Sequence, residues 1–189
     1  MYTVSEEEFE LIKPRNGIII VEVGAVRNAK TESGILLTAA TDYTMAQTAI
    51  KQGVVAKVSD ESELMVGDML HFDYMIGMNI QLKEKGLATS NDNLMLVGDK
   101  KYFLVPMSQS YYYVRNGEKK ALNHFLIASK VDGDMFTCEI VSDRDYGLQI
   151  PKIGQRFLYN GTAAPTEPNY LAKEVLYRVS PKNIYAIEE

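Results

Sequence analysis

Cysteine and histidine, the side chains most used for metal binding and for proton transfer near neutral pH, are few in this 189-residue chain: one cysteine, Cys138, and two histidines, His71 and His124. A single cysteine excludes an internal disulfide and leaves no zinc-finger spacing. His71 stands between Leu70 and Phe72 in a strand-like run, so alternation turns it to the opposite face from both. His124 opens a second such run. Each reads as a structural or surface residue rather than a general base. Cys138 precedes Glu139 in a β-rich stretch and reads as a small inert hydrophobe. The acidic pairs Glu61/Glu63 and Asp143/Asp145 read as solvated turns, and the Asn160-Gly161-Thr162 sequon carries no meaning in the cytoplasm. No paired histidines, Walker loop or dinucleotide fingerprint occurs. The expectation is a protein that binds rather than catalyses, with no cofactor and no metal.

Composition narrows the partners. The net charge is −5 and the pI near 5.2, which argues against a general nucleic-acid binder. No apolar run approaches the roughly 20 residues that span a bilayer. The opening stretch, Met1–Lys13, lacks the basic-then-apolar order of a secretory signal. A cytoplasmic location is expected. With 46% hydrophobic and 24% charged residues the chain can bury a core, and its length fits one large domain or two small ones.

The elements that must position these residues are mostly strands. Gly17–Val23, Gly53–Val58, Asp68–Tyr74, Asn79–Leu82, Leu94–Val97 and Tyr102–Val105 are short, β-branched or alternating, with turn signals between them. Ser5 with Glu8 fits a capping box over Phe9, Leu11 and Ile12, or else the acidic terminus is frayed. Ala25–Gln52 breaks the rhythm. It is rich in Ala, Thr and Ser, with one aliphatic cluster, Ile35-Leu36-Leu37, behind Gly34. A connection this long is normally functional or disordered; a hairpin or short helix is the alternative.

The second half echoes the first. Val58-Ser59-Asp60 recurs as Val141-Ser142-Asp143, and Val66–Phe72 resembles Ile153–Tyr159. Leu94–Val97 and Tyr102–Val105 match Leu176–Val179 and Ile184–Ile187, and Ile18–Val23 matches Phe125–Lys130 once the long loop is dropped. The expectation is an all-β chain of two tandem units, each a small β-barrel or sandwich, residues 1–108 with the loop at about 25–52 and residues 109–189 without it. The linker falls near Pro106–Lys120, where Tyr111–Tyr113 form a bridging strand or an exposed aromatic patch, or, as the favoured use, pack between the domains.

The first half resembles the GroES-type co-chaperonins, the ring-forming lids of GroEL-type chaperonins. The resemblance rests on Ile12-Lys13-Pro14 ahead of Ile18-Ile19-Ile20, Gly34-Ile35-Leu36-Leu37, Gly53-Val54-Val55-Ala56-Lys57-Val58 and Val66-Gly67-Asp68-Met69-Leu70-His71-Phe72. It covers residues 11–106 in family order. Asn16-Gly17 replaces the family's Asp-Arg pair, and Ser59–Met65 is too short for the hairpin that roofs the cellular lid. The chain therefore looks more like a roofless phage version, tandemly duplicated.

The resemblance implies two GroES-like β-barrels. It implies a co-chaperonin that caps a GroEL-type chaperonin in a nucleotide-dependent manner. Gly34, Ile35, Leu36 and Leu37 would be the chaperonin-binding residues, docking reversibly because ordering the loop costs entropy. Partners would be the chaperonin, other copies in a ring homo-oligomer (a heptamer, as in the family) and an unfolded client such as a phage capsid protein. The rival reading is a structural protein of a virion or assembly that reuses the barrel.

Overall fold

Strands at Ile18–Val23 and Leu126–Asp132 organise two compact units, Met1–Gln109 and Ser110–Glu189, in a computed structural model of the chain. The structure describes residues 2–15, 17–24, 49–84, 86, 93–143, 147–166 and 175–188. Gly34, Ile35, Leu36 and Leu37 lie outside them.

Unit 1 opens with β1 (Tyr2–Val4) and α1 (Glu6–Leu11). The capping box forms: Glu8 N–H donates to Ser5 Oγ, and Ser5 N–H to Glu8 Oε2. The helix stops at Ile12, whose extended backbone suits a chain about to reach Pro14. Its one buried residue, Phe9, packs 4.5 Å from the Tyr102 ring, with Lys57 Nζ 4.7 Å above it. β2 (Ile18–Val23), β3 (Gln52–Lys57), β4 (Met69–Phe72), β5 (Leu94–Val97) and β6 (Lys100–Pro106) follow. Their order in the sheet is β1-β5-β6-β2-β3-β4. β2 is flanked on both sides, and Ile19, Ile20 and Val21 in succession are buried.

One strand expectation is overturned. Asn79–Leu82 lies inside a helix, α2 (Tyr74–Glu84). Ile76 with Ile80, and Gly77 with Gln81, are pairs four residues apart, and all four are buried. That is one helical face; the two-residue alternation in the shorter window was incidental.

Unit 2 holds a hairpin, β7 (Ser110–Arg115) with β8 (Glu118–Ala121), turning at Asn116-Gly117. Its sheet comprises β9 (Leu126–Asp132), β10 (Met135–Ile140), β11 (Arg156–Tyr159), β12 (Ala164–Pro165), β13 (Leu176–Val179) and β14 (Ile184–Ile187), ordered β12-β13-β9-β10-β11-β14. The chain is thus mostly β-sheet. Among the described residues these sheets are open, with no closed barrel. Tyr111 and Tyr113 are buried, Tyr111 in a cluster with Ala121, Ile127 and Ile140, so they form no exposed patch.

The two sheets share strand order, register and several individual bonds. β2–β3 carries a bulge at Ala56, between the pairs Ile20–Lys57 and Val21–Val55; β9–β10 carries one at Glu139, between Ile127–Ile140 and Ala128–Cys138. Bulges are built-in features of a fold, and coincidence at equivalent positions argues for one architecture used twice. Val55 N–H donates to Asp68 O and Gly67 N–H to Val55 O; Cys138 N–H donates to Gln155 O and Gly154 N–H to Cys138 O. Asp68 Oδ2 accepts from Met65 N–H as Gln155 Oε1 accepts from Lys152 N–H. Asp73 N–H donates to Gln109 O, and Asn160 N–H to Asn183 O. Core volumes compensate: Gly53, crowded by Val21 and Val23, has Phe136 as its counterpart, beside the smaller Ala128.

This register corrects the sequence alignment of the last strands. Ile19 pairs with Val105 and its counterpart Leu126 pairs with Val179, so β6 matches β13. The short 3-10 turns Met107–Gln109 and Pro181–Asn183 then match, and β7 matches β14. The earlier pairing of Tyr102–Val105 with Ile184–Ile187 was misled by aliphatic residues common to all these strands. His124 also departs from expectation: it lies in the turn before β9, with φ 57.

Candidate functional site

The two copies differ most between their first two long strands. β9 and β10 are joined by Gly133 and Asp134 alone, whereas 24–51 separates β2 from β3. The roots of that long connection are well held. Val23 and Ala49 are buried. Lys51 O accepts from Phe72 N–H at 2.9 Å. The Ile50 backbone lies against Gly77 of α2, where a Cβ would come within 2.7 Å of Ile50 N and closer still to its carbonyl oxygen. Only glycine permits that approach. Glycine inside a helix is otherwise unfavourable by about 1 kcal/mol relative to alanine, so this position favours the loop root over the helix. Counterparts of α2 are absent from unit 2 among the described residues, where Asn160–Ala163 follows β11.

Electrostatics near the outgoing root are those of a surface pair. Glu22 Oε2 accepts from Lys100 Nζ at 3.3 Å and from Tyr102 Oη at 3.2 Å. The bond to Glu22 raises the Lys100 pKa; burial, then the Glu22 charge, raises that of Tyr102. This geometry braces a strand end and offers no nucleophile.

The residues singled out for chemistry do not converge. His71 is half-buried on β4 and His124 exposed in its turn. Cys138 is fully buried on β10, and burial pushes its thiol up to about 12. Asp143 Oδ1 accepts from Lys120 Nζ at 2.7 Å, raising the Lys120 pKa; Asp145 lies outside the described residues. Glu61 and Glu63 lie in the connection between β3 and β4. Among the described residues no group of three or more His, Cys, Asp or Glu could hold a metal ion, and no helix is long and apolar enough to cross a membrane.

A second feature lies at the last strand, β14. β7 is paired by β8, and its Tyr111 is 7% exposed. The matching strand β14 has β11 on one side and, among the described residues, no strand on the other; its Tyr185, the counterpart of Tyr111, is 61% exposed. Only the corrected register brings the two tyrosines into correspondence. No protein-family model matches this chain, and no curated protein matches it.

Proposed function

We propose that the protein is a co-chaperonin, a lid that caps a GroEL-type chaperonin through Gly34-Ile35-Leu36-Leu37 in a nucleotide-dependent manner. One observation carries the reading. Unit 2 closes its strand pair with two residues where unit 1 uses the whole of 24–51, so the architecture does not require that segment. Its aliphatic triplet then has a use other than building the sheet. Three aliphatic side chains offer about 1.5–3 kcal/mol each when fully buried in a partner's groove. Ordering the segment offsets part of this, about 2–5 kcal/mol. Single contacts stay weak, and a ring presenting several restores avidity through effective concentration.

Two tandem GroES-like units, a ring of copies and an unfolded client complete the reading. The open edge of β14, with Tyr185 beside it, supplies a surface through which copies could join. That same edge is what favours the rival reading of a structural protein in a virion or assembly, held by fixed strand contacts. Replacing 24–51 by Gly-Asp separates the two. The lid reading expects a folded protein with unchanged strand content that no longer associates with the chaperonin. A shortened chain that still binds it would contradict that reading.

A further inference from the structure

The repeat supplies an internal control for one pocket in unit 2. In unit 1 the end of the β2–β6 ladder is closed. Ile18 pairs with Pro106, and Met107 N–H donates to Gly17 O at 2.8 Å. In unit 2 the counterparts are Phe125, Ser180, Pro181 and His124. The ladder stops one rung earlier, at Leu126–Val179. Pro181 has no N–H to repeat the Met107 bond, and Ser180 N–H goes instead to Tyr159 Oη at 3.3 Å. A pocket of about 410 Å³ opens there, lined by Asn123, His124, Phe125, Leu148, Ser180, Pro181 and Lys182.

The turn at its mouth is also costly. Gly17 takes a left-handed backbone in unit 1 (φ 83), which glycine adopts freely. Unit 2 places Asn123 (φ 59) and His124 (φ 57) there in succession, a conformation that side chains disfavour. Asn123 Nδ2 donates to Ser110 O at 3.0 Å, which fixes the turn. The imidazole is thus held at the pocket where the repeat shows that glycine would serve the fold.

Chemistry names the ligand. Phe125, Leu148 and Pro181 are its apolar lining, with Leu148 half-exposed. Arg178 stacks its guanidinium 4.6 Å from the Phe125 ring. Lys182, His124, Ser180 and Asn123 are its polar lining, and no acidic residue lines the pocket among the described residues. An apolar body bearing a carboxylate matches both parts. We propose that this pocket binds an apolar carboxylate, the chemistry of a hydrophobic C-terminal residue of a polypeptide or of a small free acid. The proposal stands apart from the lid reading and uses none of its residues.

The test is an amide-shift titration of the full-length protein with N-acetyl-leucine, N-acetyl-leucinamide and a short peptide ending in leucine. Saturable shifts at Phe125, Leu148 and Ser180 are expected with the acid, and about tenfold weaker binding with the amide, which lacks the charge. Lys182→Glu should weaken the acid about tenfold or more. His124→Gly, which suits the turn, should stay folded and bind less tightly. A peptide tighter than N-acetyl-leucine assigns the site to polypeptide ends; equal affinity assigns it to small acids. Equal binding of acid and amide, no saturation by either, or unchanged affinity in a folded Lys182→Glu protein would overturn the proposal.

Discussion

Cys138 shows how burial decides the use of a reactive side chain. The thiolate is the nucleophile, and a thiol pushed up to about 12 holds almost none of it at neutral pH. Desolvation leads, and the neighbouring Glu139 charge adds to it. Packed with Phe136, Phe157 and Tyr159, the sulfur acts as core volume. Alkylating reagents should leave it unmodified in the native protein and label it on unfolding, as read by mass spectrometry; rapid labelling under native conditions would contradict this. The inert role of Cys138 was legible, because strand neighbours in the sequence already imply an inward side chain. The conformation of His124 was not. A left-handed backbone at a histidine leaves no compositional trace and emerges only when Gly17 is aligned with it by register.

At the level of elements, local chemistry was readable where it is self-contained. The Ser5–Glu8 box needs only residues three apart, and it forms. Its pH response follows. Bonds from the Ser5 backbone, then from its hydroxyl, hold the Glu8 carboxyl below its ordinary value. The folded form therefore protonates at lower pH than the unfolded one. The cap's contribution is complete above the unfolded value and lost as pH falls through the lowered folded one. Hydrogen exchange in α1 should accelerate selectively over that acid window, while amides of β2 stay protected; uniform behaviour of the two would contradict the assignment. α2 was missed because four residues of it alternate like a strand, and only its eleven-residue length shows the Ile76–Ile80 face. Gly77 reverses a familiar expectation. Gly→Ala in an exposed helix stabilises, but here the added carbon meets the Ile50 backbone, so Gly77→Ala should destabilise by about 1–3 kcal/mol in denaturant unfolding. A stabilised variant would show that α2 does not clamp the loop root.

Across the whole molecule, the repeat was unevenly legible in the sequence. The motifs around Gly67 and Gly154 aligned correctly because they carry a turn with matched side-chain bonds. The terminal strands were matched wrongly, since short aliphatic strands are interchangeable until hydrogen bonds fix which one neighbours β2 or β9. That β14 ends its sheet among the described residues is fixed by the pairing alone. The proposed use of 24–51 is to meet an external partner. The most direct measurement is size-exclusion co-elution with the cognate GroEL-type chaperonin, with and without ADP or ATP. It would use the native chain beside the double variant Ile35→Asp/Leu36→Asp. The account predicts nucleotide-dependent co-elution of the native chain, lost in a variant that keeps its strand content. Failure of the folded native chain to bind under any nucleotide, or undiminished binding by the variant, would contradict it.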